Sequence, residues 1–130
     1  MKRILAPILI TLTFSVMLPS ISFSGWSEVL EDGIGTTYYV DFEKIRKAEG
    51  HIYVWSLLDR DKPNHVGYFS TQVYRKIDCT LSRFKILSYS FHEVGMGRGN
   101  GTPLITKNPV WVYPPSNSST ELILKSICIR

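Results

Sequence analysis

The residues whose types and spacing most invite a chemical reading are histidines, carboxylates and glycines. His92-Glu93 opens like the H-E-x-x-H zinc-protease motif, but Met96 stands where the second histidine would complete the ligand pair. His51, His65 and His92 lack ligand spacing and have no thiolate beside them, so they read as ordinary surface histidines. No serine sits in a G-x-S-x-G elbow. Asp41, Asp59 and Asp61 read as cap and loop residues, with nothing pairing them for acid–base work. The run Gly95-Met-Gly-Arg-Gly-Asn-Gly101 is not a phosphate cradle: Asn100 breaks G-x-G-x-x-G and no G-K-[ST] follows. It reads as a mobile hairpin tip or loop. These patterns predict no catalytic residue, no metal set and no cofactor, and the chain is not read as an enzyme.

The beginning of the chain speaks to destination. Met1-Lys2-Arg3 is a short basic start, and Ile4 to Pro19 is a 16-residue run without charge. Ser22 and Ser24 place small residues at both positions that a signal peptidase reads, which predicts cleavage before Gly25. A spanning helix needs about 20 apolar residues, and this run is shorter and broken by Pro7 and Pro19. The expected organisation is a signal peptide over 1–24 and one domain over 25–130, periplasmic, secreted or at the cell surface. No cysteine follows the apolar run, so the mature chain is expected to carry no lipid anchor.

Both cysteines, Cys79 and Cys128, survive that processing. An oxidising compartment favours their pairing, and closing a loop of that length contributes about 4 kcal/mol on the chain-entropy model. Two free thiols or a redox pair are the alternatives, although neither cysteine lies in a C-x-x-C. Loss of Lys2 and Arg3 leaves 13 basic against 11 acidic residues, a net charge of +2. With no clustered basic stripe in the sequence, nucleic acid is not an expected partner. Asn100-Gly-Thr102 and Asn117-Ser-Ser119 match the N-glycosylation pattern, which is coincidental in a bacterial host. Aromatics are the stronger lead. Tyr38, Tyr39, Tyr53, Trp55, Tyr68, Tyr74, Tyr89, Trp111 and Tyr113 either exceed what a small core holds and leave some for a contact patch, or cover both faces of a thin sheet; exposed Tyr, Trp and Arg favour interfaces. Arg75, Lys76, Arg83 and Lys85 flank Cys79 as a modest positive rim.

The elements that must position these side chains read mostly as strands. Trp26 to Glu31 and Thr36 to Asp41 flank the turn Asp32-Gly-Ile-Gly35 as a hairpin. Asp41 is placed to cap one helical turn over Phe42 to Arg46, and Glu49-Gly50 turns the chain. His51 to Leu58, apolar on both faces, predicts a central strand. Over Val66 to Cys79 a period of two puts Phe69, Thr71, Val73, Ile77 and Cys79 on one face, interrupted by Arg75. Arg83 to His92 follows as its hairpin partner, and Val110 to Tyr113 is a brief extended piece among prolines. Ser118 with Glu121 forms a capping box, and Leu122, Ile123, Leu124, Ile127 and Cys128 recur at helical spacing, predicting a helix of about ten residues.

Trp26-Ser-Glu-Val, Thr37-Tyr-Tyr-Val-Asp41 with Ile45, Val54-Trp55, Asp78-Cys79, Arg83-Phe-Lys-Ile86 and Leu124 to Cys128 follow one another in order. Together they resemble the surface-adhesin protein E family of proteobacteria over nearly the whole of 25–130. The resemblance implies an α+β fold: an antiparallel sheet of about six strands, one C-terminal helix packed on it, and a Cys79–Cys128 bond. It implies a non-enzymatic binding module. The family's namesake binds matrix and plasma proteins such as vitronectin and laminin, is lipid-anchored, and can dimerise and bind haem. For this chain, haem and a homodimer are thus implied by resemblance alone. Of the basic contacts before the long fourth strand, Lys62 and His65 are what remain here. The candidate contact residues are Lys62, His65, Tyr74, Arg75 and Lys76, toward an extracellular-matrix or envelope protein. The alternative is a periplasmic inhibitor or envelope accessory protein of the lysozyme-inhibitor kind.

Overall fold

A computed structural model describes residues 25–130, and the leader assigned to 1–24 lies outside the described residues. Seven antiparallel strands form a single sheet: β1 (Ser27–Glu31), β2 (Thr36–Val40), β3 (Arg46–Ala48), β4 (His51–Arg60), β5 (Ser70–Asp78), β6 (Arg83–His92) and β7 (Thr102–Ile105). Their order is β1-β2-β4-β5-β6-β7, with β3 adding to the first half of β4. One helix, α1 (Ser119–Cys128), closes the chain. Among the described residues no helix is long and apolar enough to cross a membrane.

Local chemistry accounts for the elements. The first turn forms because Asp32 Oδ1 accepts from the amides of Ile34 and Thr36 at 3.0 and 2.9 Å. Glu49 (φ 52°) and Gly50 (φ 76°) join β3 to β4, the two-residue reversal whose twist matches paired strands. Ser118 Oγ accepts from the Glu121 amide at 3.2 Å, while the Glu121 carboxylate accepts from the Asn117 amide. That reciprocal cap starts α1 where the spacing predicts it. The amide bond and Lys125 both hold the Glu121 carboxyl below its ordinary range.

One sheet face carries the core. Val40, Val54, Ile77 and Phe84 pack against Ile123, Leu124 and Ile127 of α1. The Cys79–Cys128 disulfide, with Cα atoms 5.6 Å apart, ties the end of α1 to the turn after β5. A bulge at Leu87 shifts the pairing from Arg75↔Ile86 to Tyr74↔Ser88, so Phe84 and Ile86 share their face with Tyr89 and Phe91. The opposite face carries Tyr53 and Trp55 of β4, Gln72, Tyr74 and Lys76 of β5, and Arg83 and Lys85 of β6.

Four local expectations differ from the structure. β5 starts at Ser70, not Val66, because Asn64 Oδ1 accepts the amides of Val66, Gly67 and Tyr68 and curls the chain into a loop first. The helical turn covers only Phe42–Lys44, and the Asp41 side chain does not cap it. The extended piece at Val110–Tyr113 makes one bridge, Val112 to Phe84, while the real edge strand is Thr102–Ile105. Pro103 pairs there with Ser90 at the sheet edge, where a residue without an N–H is tolerated. The glycine run is no mobile tip. The Met96 amide donates to Asp59 Oδ1 at 2.7 Å, the Gly97 amide donates to Ser70 Oγ at 2.9 Å, and Gln72 Nε2 donates to the Gly97 carbonyl at 3.3 Å. The segment therefore folds back over one end of the sheet face that α1 leaves free, where Leu57 is fully buried. Gly97 has φ +65°, and a Cβ there would fall 2.4 Å from Gln72 Nε2, so the close approach requires glycine.

Candidate aromatic and basic contact surface

The other end of that face, beside the Cys79 turn, is open. Its positions are set by strand register. Tyr53 lies opposite Arg46 on one side and Lys76 on the other, and Lys76 lies opposite Lys85. Trp111 comes from the segment after β7, which the Val112–Phe84 bridge holds against β6 through hydrogen bonds of 2.8 and 3.0 Å. The Trp111 ring receives Arg83 at 4.3 Å, Lys85 at 4.6 Å and Lys76 at 5.9 Å from its centroid, and the His51 ring stacks on it at 5.5 Å. Tyr53 receives Arg46 at 4.4 Å and Lys76 at 5.8 Å. Trp55 stacks on Tyr74 at 4.8 Å, and Tyr53 and Tyr74 lie 6.3 Å apart. All these rings are half-buried.

Charge on this surface is nearly one-signed. Asp78 Oδ2 accepts from Arg83 Nε at 2.9 Å, and that hydrogen bond, helped by the Leu81 amide, holds the Asp78 carboxyl below its ordinary range. Among the described residues, Arg46, Lys76 and Lys85 have no carboxylate within ion-pair distance. Cations over aromatic faces are worth about 0.5–1 kcal/mol each at exposed sites. The rings thus hold the ammonium and guanidinium groups in place without neutralising them. Such a surface presents flat apolar area for burial and fixed positive charge for carboxylates. Among the described residues no group of three or more His, Cys, Asp or Glu could hold a metal ion.

The residues singled out from the sequence do not form one site. Tyr74 and Lys76 belong to this surface. Lys62 and His65 are exposed in the loop between β4 and β5, at the opposite end of the sheet. The six residue steps along β4 from the Tyr53 to the Asp59 register position separate them from Lys76 by roughly 20 Å at the ordinary strand rise. Arg75 is a correction. It is not part of a solvated rim but only 7 % exposed on the core face. Its guanidinium donates to Ser56 Oγ and lies 5.3 Å from the Phe84 centroid, and burial lowers its pKa to about 10. The unbroken alternation through Thr71, Val73, Arg75 and Ile77 was the signal for this. His92 is likewise no surface histidine: it is buried, held by Ser90 Oγ at 2.8 Å and the Arg98 carbonyl at 3.1 Å. Arg46 and His51 were missed as contact candidates. Their place beside Tyr53 and Trp111 follows from the β3–β4 hairpin, which no sequence pattern announced.

A second feature lies midway on this face. A polar cleft of about 440 Å³ opens between the folded-back glycine segment and the sheet, lined by Trp26, Asp41, Lys44, Trp55, Gln72 and Arg98.

The family model described as surface-adhesin protein E matches residues 26–129. Similar solved structures are those of Haemophilus influenzae protein E. Crystal form II superposes with a TM-score of 0.66 at 16 % identity, covering 82 % of this chain and 88 % of that one. The protein from a non-typeable strain gives 0.63 at 16 % identity, covering 82 % and 76 %. No curated protein sequence matches the chain. The structural likeness establishes the fold.

Proposed function

The chain belongs to the surface-adhesin protein E family, and from that premise we propose that it is an exported, non-enzymatic binding protein whose aromatic and basic face receives an acidic stretch of a matrix or envelope protein. The observation that carries this reading is Trp111 ringed by Lys76, Arg83 and Lys85 on the sheet face away from α1. Buried ring area supplies affinity, and fixed charge selects the partner and speeds encounter. A partner with carboxylates next to flat or aliphatic side chains fits both features. Cell-surface or periplasmic location after cleavage before Gly25 belongs to the same proposal.

Binding of the exported protein to immobilised extracellular-matrix proteins at rising NaCl tests it. Affinity should fall with salt. Trp111→Ala and Lys85→Glu should each weaken binding by about tenfold or more, the scale of one interface anchor, while circular dichroism shows both variants folded at the assay temperature. Lys62→Glu, at the far end of the sheet, should bind like the parent. Parent-like binding by the first two variants would remove the proposed surface.

A further inference from the structure

We infer that Asp41 is the receptor for the α-ammonium group that cleavage before Gly25 creates, so that export processing completes the fold with a buried ion pair. This rests on the cleavage position read from Ser22-Phe23-Ser24, and the test below reads that position separately.

The starting point is a buried group with no task. Asp41 is 4 % exposed, and its Oδ1 has no hydrogen-bond partner among the described residues. Its side chain makes no cap to the turn that follows it. Lys44 Nζ stands 4.0 Å from Oδ2, but the lysine side chain is 74 % exposed and leaves Oδ1 untouched. A carboxylate in such a place is costly unless a donor reaches it. Trp26 and Trp55 line the same cleft.

Gly25 supplies the donor. Its φ is +82°, and a Cβ built on it would lie 3.1 Å from Asp41 Oδ1 and 3.5 Å from Oδ2. Before processing, the Gly25 nitrogen is an uncharged amide bonded to Ser24. Hydrolysis of the Ser24–Gly25 bond consumes one water: the carboxyl stays on Ser24, and the freed amine takes a proton from solvent. The nitrogen is now a terminal substituent on a tetrahedral carbon. Turning about the Gly25 Cα–C bond carries it, with no movement of Trp26 or later residues, into the position a Cβ would occupy. There it lies within ion-pair distance of both Asp41 oxygens. An α-amino group has an ordinary pKa of about 7.7–8.0, so it arrives charged at neutral pH. Before cleavage, glycine suits this position because φ +82° disfavours any L side chain.

The test uses the protein exported with its own leader. Intact mass should place the first residue at Gly25; a different first residue overturns the inference at once and leaves the proposed contact surface standing. Selective acetylation of the α-amine at mildly acidic pH, where lysines stay protonated, removes the charge. Acetylation should lower the melting temperature of the parent by roughly 4–8 °C, the shift typical of losing one modest interaction in a domain of this size. It should do nothing to Asp41→Asn, whereas Lys44→Ala should respond like the parent. Equal shifts in parent and Asp41→Asn would overturn the pairing. If Asp41→Asn fails to fold, the acetylation rate decides: the native α-amine should react at least about tenfold more slowly than the same amine in urea, and equal rates would refute its docking.

Discussion

At the scale of single residues, the decisive groups are charges whose surroundings contradict their first appearance. Among the described residues Arg75 is buried without a carboxylate, its Nε unpartnered, its guanidinium donating to a serine hydroxyl beside the Phe84 ring. A desolvated charge of that kind adds little net stability, and an apolar side chain of similar volume often does as well. Arg75→Met should therefore melt within a few degrees of the parent or above it. Ser56→Ala, which strips the buried guanidinium of its acceptor, should cost about 1–3 kcal/mol by urea unfolding. The reverse ranking would mean that the guanidinium is a structural keystone. Asp78 behaves differently. Its carboxyl is held below its unfolded range by Arg83, so its contribution is present at neutral pH and is lost as pH falls through the folded value. Arg83→Gln should be less stable than the parent at pH 7, and the gap should close on acidification. A gap that stays constant down to strong acid would show that the pair does not form.

At the scale of elements, α1 and its bridge form one unit. The helix covers the β1–β2 side of the core face, and Cys128 fastens its last turn beside β5. A 49-residue separation between the cysteines predicts about 4 kcal/mol of stabilisation on the chain-entropy model. Cys128→Ser should lower the melting temperature by at least about 10 °C and speed amide exchange in Ser119–Cys128 ahead of β4 and β5. Uniform exchange across the chain would contradict a local staple. Ser118→Ala should cost about 1 kcal/mol through the lost cap. This is also the scale at which sequence reading succeeded and failed. The capping box and its helical spacing located α1, and period two located β5 with β6 as its hairpin partner, because each signal is local to the element it describes. β3 escaped because Arg-Lys-Ala has no strand pattern; it pairs only because Glu49-Gly50 reverses the chain onto β4. The glycine segment escaped because its order comes from Asp59, Ser70 and Gln72, all more than twenty residues away in sequence.

At the scale of the whole molecule, a thin sheet gives one face to the core and, on the reading proposed above, the other to recognition. One face is spent on α1. The other is closed at one end by the folded-back glycine segment and open at the other, where Trp111, Tyr53 and the basic side chains gather. The excess of aromatics over the needs of a small core was legible in the sequence. Which of them share a surface was not, because that depends on the register of β3, β4, β5 and β6 and on the Val112–Phe84 bridge. A net charge of +2 over 25–130 likewise conceals the patch, where, among the described residues, Asp78 is the one carboxylate paired with its cations.

The three tryptophans give the most direct test of that division. Trp111 sits within the basic cluster, Trp55 midway along the face, and Trp26 just before β1. In an NMR titration of the exported protein with an extracellular-matrix protein that binds it, the Trp111 indole signal should shift or broaden first, together with the amides around Lys76 and Lys85, while α1 stays unchanged. Binding that leaves Trp111 untouched and perturbs α1 or β7 would contradict the assignment of the open face as the contact surface.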